Sequence, residues 1–246
     1  MTLPFPHPSA LLPPGFTLSR CTPADAPGMT SVYMNAFPAG SDFTYWWPRS
    51  VDAMRAWQAD RIRSWLANPR VRAFKVVDQA TSRLVAFAKW DLPTSLKGLD
   101  AGLVAYDEQG KAVEQSPKEG EAQGVATRDL GAPEGANVEM FQDLFVGITR
   151  MREKWQVDGK LLLHIIAADP AYHGRGIATA VIKCVLDVAD AEGVSTYLEA
   201  LPLAVPLYRR LGFVEVDKME FDLARAGMEG TAVLTIMVRE PGMVAA

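Results

Sequence analysis

The sequence predicts an α/β fold of the α+β type, in which a mixed, mostly antiparallel sheet carries helices on both faces. Three observations predict it. Apolar runs of strand length alternate with segments whose apolar residues recur every three or four positions. One such run, in LLLHIIAADPAYHGRGIATA at 161–180, ends at Asp169-Pro170 and passes through a glycine turn into a helix. Near the end of the chain, residues 213–223 and 231–238 read as two strands joined into a hairpin around 226–230.

The elements follow in order. Residues 16–20 form a short first strand, and Thr22-Pro23-Ala24-Asp25 opens a helix with Thr22 at its N-cap and Pro23 in its first turn. A second helix spans about 50–67. Residues 71–77 and 84–90 make a hairpin around Asp78-Gln79-Ala80-Thr81. Between 92 and 136 the chain turns glycine-rich and charged and loses any sustained hydrophobic period, which reads as an insertion. The clearest helix follows, because Val138, Phe141, Leu144, Phe145, Ile148, Met151 and Trp155 fall at spacings of three and four. A strand over 160–167, a helix after Gly176, a strand over 194–199 and a short helix over 205–211 then lead into the last hairpin. One domain over 16–240, preceded by a loose, proline-rich arm at 1–15, is the expected organisation.

Composition narrows the class. With 246 residues and 49% hydrophobic content, the chain can bury one good core. A net charge of -4 without a basic run argues against nonspecific nucleic-acid binding, which rests on Lys and Arg neutralising phosphates. Two cysteines, Cys21 and Cys184, are expected as reduced thiols, Cys184 within an apolar helical pattern, so a reducing, cytoplasmic compartment is expected. The N-terminus lacks a basic n-region, and no uninterrupted apolar stretch is long enough to span a membrane. No metal site is expected.

The glycine turn carries the chemistry. The first amides of a helix have no partner within it and sit at the positive end of its dipole, so they attract phosphates. Gly174 and Gly176 lack a Cβ and let a pyrophosphate approach. An ordinary tight connection is the plainer reading of a lone glycine turn. A P-loop needs Lys and Ser or Thr after the last glycine, whereas Ile177 and Ala178 follow here. A dinucleotide fold would place the turn after its first strand.

HGRGIA at 173–178 resembles the coenzyme A turn of the GNAT superfamily of N-acetyltransferases. A second block, YLEALPLAVPLYRRLGF at 197–213, resembles the same family's later strand and short helix ending in Leu-Tyr-x-x-Leu-Gly-Phe. The resemblance implies a GNAT-type sheet in which the strand before the turn splays from the next strand. It implies acetyl-CoA as cofactor: the backbone of Ile166, Ala167 and Ala168 beside the acyl-pantetheine arm, and His173, Gly174, Arg175, Gly176, Ile177, Ala178 and Thr179 at the pyrophosphate. Tyr208 is implied as the acid that protonates the leaving thiolate; its alternative is a structural tyrosine between helix and sheet. For the base that deprotonates the amine, Leu162 stands where some members have Glu, so His164, two residues on and facing the same side, and Glu199 on the next strand are the candidates; a hydrogen-bonded core histidine is the equal alternative for His164, and a water chain to solvent would also serve. Two departures from the family pattern are His173, in place of Gln or Arg, and Leu201, where many members have Asn or Ser.

The implied reaction is direct acetyl transfer from acetyl-CoA to a primary amine in a ternary complex, with a small-molecule acceptor. A peptide acceptor and a catalytically silent acyl-CoA-binding module are the alternatives. No nucleic-acid or membrane partner is expected, and the chain is expected as a monomer or homodimer. The aromatics of SDFTYWWP at 41–48 suit an apolar or aromatic amine or, equally, pack the second helix onto the sheet. Asp42 is a weak candidate for attracting a cationic amine.

Overall fold

A computed structural model describes residues 12–41, 43–68, 70–93, 105–106, 112–113 and 131–242. Asp42, most of the expected arm at 1–15 and most of the expected insertion at 92–136 lie outside the described residues.

Seven strands form one sheet: β1 (Phe16–Arg20), β2 (Val71–Asp78), β3 (Arg83–Asp91), β6 (Leu161–Ala168), β7 (Thr196–Ala200), β8 (Val214–Asp222) and β9 (Thr231–Arg239). Their order is β1-β2-β3-β6-β7-β9-β8, and β6-β7 is the parallel pair among antiparallel neighbours. Two short strands, β4 (Ala105–Tyr106) and β5 (Ala112–Val113), pair separately. The helices are α1 (Ala26–Ala36), α2 (Val51–Ala67), α3 (Val138–Lys154), α4 (Ile177–Glu192) and α5 (Val205–Arg210). The mixed, mostly antiparallel α/β architecture is therefore as the sequence predicts.

Local chemistry sets the boundaries. Ser50 and Asn137 cap α2 and α3, accepting from the amides of Ala53 and Met140 at 3.2 Å each. Thr22 opens a 3₁₀ turn, Pro23–Asp25, rather than α1 itself, because Asp25 reaches back to the Thr22 amide at 2.7 Å and hydroxyl at 3.0 Å. At the end of α4, Gly193 adopts φ 67° and the Val194 amide returns to the Ala189 carbonyl at 2.8 Å. Val194 thus closes the helix, and β7 starts two residues later than the sequence suggests.

The sheet separates two cores. Helices α4 and α5 cover one face, burying Val181, Val185 and Tyr208 against Val76, Leu161 and Leu163. On the other face, α1, α2 and α3 bury Met29, Met54, Trp65 and Leu144 against Phe87, Leu162 and Ile236.

The centre of the sheet is opened by one irregularity. Trp90 pairs with Leu163 and Lys89 with Ile165, so His164 is an extra residue in β6, a β-bulge. Pairing between β6 and β7 covers Leu161↔Thr196, Leu162↔Tyr197 and Leu163↔Leu198 and stops at the bulge. Beyond it the two strands part, leaving a gap in mid-sheet.

Candidate active site

The far end of the gap is the turn between β6 and α4. Asp169 anchors it: its amide donates to the Val85 carbonyl at 2.8 Å, and its carboxylate accepts from the Ala171 amide at 3.0 Å and the Asn35 amide group at 3.2 Å. Gly174 and Gly176 then adopt φ 75° and 76°, a region that side-chain-bearing residues rarely enter. A Cβ placed on either would meet nothing within 4 Å, so open space lies before both. The first intrahelical bond of α4 joins the Ala180 amide to the Gly176 carbonyl at 3.0 Å. The amides of Ile177, Ala178 and Thr179 precede it and have no acceptor within the helix. This cradle is built for an anion.

Two side chains expected to supplement it are partly spent on their own loop. His173 is exposed, and its Nε2 donates to the Ala168 carbonyl at 3.1 Å. Arg175 donates to the Ala171 carbonyl at 3.3 Å and lies over the Tyr172 ring at 4.9 Å, retaining its other donors on an exposed side chain.

Backbone alternation sorts the edge of β6. The Asp169 amide points to β3, and with a two-residue period so do the backbone groups of Ala167. Those of Ile166 and Ala168 face the gap. Ala167 is therefore corrected from a backbone contact to a ladder residue whose side chain is 2% exposed in the core. The Ala168 carbonyl also serves His173.

Between the gap and helices α2 and α3 lies a pocket of about 480 Å³, and Tyr208, His164 and Glu199 all line it. The structure thus brings the three candidates together from three elements. Tyr208 is buried, packed edge-on to Phe213 at 5.7 Å, and burial pushes its phenol above its ordinary range, so it holds its proton. Glu199 is held by both oxygens: Arg152 of α3 donates through Nε at 2.8 Å and through Nη2 at 3.0 Å. A carboxylate so occupied is poorly suited to taking a proton, and its remaining lone pairs can accept a hydrogen bond from an amine.

His164 sits in a cluster the sequence reading missed. Its Nδ1 lies 2.9 Å from Asp91 Oδ2 and 3.0 Å from Lys89 Nζ, and Lys89 reaches both Asp91 oxygens at 2.7 and 2.8 Å. Burial, then the Lys89 charge, push the imidazole down to about 3, so it is neutral. Burial likewise brings Lys89 down to about 8 against the pull of Asp91, while Asp91, despite its burial, is held well below the usual carboxylate range by Lys89 and His164. With Nδ1–H donated to Asp91, Nε2 carries the lone pair.

The pocket's other wall is aromatic. Trp46 meets Trp57 at 5.8 Å, Phe141 at 5.3 Å and Phe145 at 6.0 Å, all edge to face, while Arg61 lies over Trp57, Trp65 and Phe145. Of the SDFTYWWP aromatics, Phe43 and Trp46 line the pocket, whereas Tyr45 and Trp47 pack on Phe221 and Tyr33. Leu201 also lines the pocket. Spacing alone holds a signal for the missed residues. Trp57, Arg61 and Trp65 repeat every four positions on α2, Arg152 continues the stripe Phe141, Phe145, Ile148, and Lys89 and Asp91 alternate on β3.

Residues 107–213 match the model of the Acetyltransferase (GNAT) family. No curated protein sequence matches the chain. Among solved structures, one described as histone acetyltransferase HPA2 and related acetyltransferase, from Corynebacterium glutamicum ATCC 13032, is 20% identical, with a TM-score of 0.55 over 94% of this chain and 99% of its own. The C-terminal condensation domain of Ebony, solved in complex with beta-alanyl-dopamine, is 10% identical, with a TM-score of 0.57 over 92% of this chain and 98% of its own. At these identities the likeness is one of fold.

Proposed function

We propose, for this GNAT-fold chain with its acetyltransferase-family region at 107–213, that it is an N-acetyltransferase moving an acetyl group from acetyl-CoA to a small primary amine by direct attack in a ternary complex. The observation that carries this is the continuity of one path. An anion cradle with open glycine faces leads along an unpaired strand edge to a pocket where Tyr208, His164 and Glu199 converge.

Those features fit coenzyme A. The amides of 177–179 and the turn at 174–176 would hold the pyrophosphate, and the gap-facing backbone of Ile166 and Ala168 would pair with the pantetheine arm. Acetyl-CoA, when bound, supplies the activated thioester. The chain's own residues manage the protons. Glu199, held in place by Arg152, would accept a hydrogen bond from the incoming amine through a remaining lone pair. Asp91 fixes His164 with Nε2 as acceptor, a lone pair that would take a hydrogen bond from the amine and orient it, while a water chain to solvent would carry off the proton, because a ring neutral down to about 3 is too weak a base to keep it. Tyr208, kept protonated by its burial, would hold at its phenol oxygen the proton that a leaving thiolate needs. Cys184 is buried and takes no part as a nucleophile.

The test is thiol release with a panel of amines, comparing the wild type with Tyr208→Phe. The variant is expected to lose about 10²-fold or more in kcat while still binding acetyl-CoA. Unchanged turnover removes Tyr208 as the acid. Acetyl-CoA binding without thiol release on any amine identifies a silent binding module, and release with peptides alone identifies a peptide acetyltransferase.

A further inference from the structure

Three buried or half-buried cations line or adjoin the pocket, and two have partners: Lys89 pairs with Asp91 and Arg152 with Glu199. The third is Arg61. Its guanidinium carbon lies 5.2, 4.8 and 5.6 Å from the ring centroids of Trp57, Trp65 and Phe145, and among the described residues no carboxylate forms an ion pair with it. The Tyr33 hydroxyl is its hydrogen-bonding neighbour, and Asp91 acts on it only from a distance.

With His164 neutral, Arg61 leaves this pocket one positive charge in excess among the described residues. A second donor points to the same kind of ligand. Trp46 lines the pocket, is 1% exposed, and its indole Nε1 has no acceptor among the described residues. Aromatic faces hold a guanidinium by cation–π attraction but leave its in-plane donors unused. Withdrawing such a cation from water without a counter-ion is costly, and an arriving carboxylate offsets that cost with a bidentate hydrogen-bonded pair.

Resting on the acetyl-transfer reading, we propose that the acceptor amine carries a carboxylate, which Arg61 binds with the help of the Trp46 indole, while its apolar or aromatic body lies among Phe37, Phe43 and Phe141. The substrate class is thus that of hydrophobic amino acids and related amino carboxylates. Arg61 is the specificity-determining residue, distinct from the groups that handle protons.

The experiment titrates N-acetyl phenylalanine, tyrosine, tryptophan, leucine and methionine, and their carboxamides, into the protein by calorimetry, with thiol release measured on the corresponding free amines. The wild type is expected to bind at least one acid about tenfold or more tighter than its amide, the effect of one charge-assisted pair. Arg61→Gln should erase that difference by weakening the acid and sparing the amide, and Arg61→Lys, which keeps the charge without the fork, should fall between. Equal binding of acid and amide, equal weakening of both in a folded variant, or no binding by any acid overturns the proposal. Should Arg61→Gln not fold, the same acid-to-amide ratio in Arg61→Lys decides. An acid preference without thiol release from any amine leaves the anion site standing and removes acetyl transfer. Thiol release from amines without an acid preference does the reverse.

Discussion

His164 shows how much a single side chain's role depends on its neighbours. An isolated imidazole titrates near 6.5, but between Lys89 and Asp91, out of water, this one stays neutral down to about pH 3. The sign of the stability effect follows. As pH falls below about 6.5 the unfolded chain takes up a proton that the native state refuses, so stability is full above that pH and declines toward about 3. We expect His164→Gln to flatten this acid limb, read as the change in urea midpoint between pH 7 and pH 4.5. A wild-type decline as steep as before in the variant would assign it to other groups. Tyr208 illustrates the opposite sign: burial raises its pKa and preserves the proton it is proposed to donate.

At the scale of the element, the turn into α4 joins conformation to binding. Gly176 is the helix's N-cap at φ 76°, and its open face is the one an anion must approach. Gly176→Glu combines backbone strain of about 1–2 kcal/mol with a carboxylate in the cradle. Acetyl-CoA at about 100 times its dissociation constant should stabilise the wild type by about 2.7 kcal/mol, roughly 5–10 °C for a chain of this length. The folded variant is expected to show no shift in the same thermal scan, and an equal shift would place the cofactor elsewhere. The bulge in β6 is the companion element. It costs the sheet its β6–β7 ladder beyond Leu163 and in return turns His164 toward Asp91.

Across the whole molecule, the sheet divides the work. The face under α4 and α5 brings the cradle and Tyr208, and the face under α1, α2 and α3 brings the aromatic wall, Arg61 and Arg152. Trp46 joins several parts of the second face, touching Trp47, Trp57, Phe141 and Phe145. Its removal in Trp46→Ala is expected to cost about 3–5 kcal/mol, seen as a lowered urea midpoint, because the cavity left behind cannot collapse between two helices and a loop. A loss under about 1 kcal/mol would mean that the wall is loosely packed. Among the described residues no helix is long and apolar enough to cross a membrane.

Reading residues alone was enough for whatever depends on short-range periodicity and turn chemistry. The strands of both hairpins, the extents of α2 and α3, the strand, glycine turn and helix at 161–192, and the place of Tyr208 in Leu-Tyr-x-x-Leu-Gly-Phe all follow from residues a few positions apart. The acid-base cluster does not. Lys89, Asp91 and His164 come from two strands and meet only because a one-residue bulge re-registers β6 on β3; Glu199 meets Arg152 only because α3 lies over β7, and Arg61 meets Phe145 only because α2 and α3 share one face of the sheet. A backbone of period two or 3.6 dictates which face a side chain takes along its own element. Which charges that face then encounters is a matter of packing between distant segments, and here packing turns a core-like histidine into a neutral acceptor in the pocket and a stripe arginine into a candidate anion site.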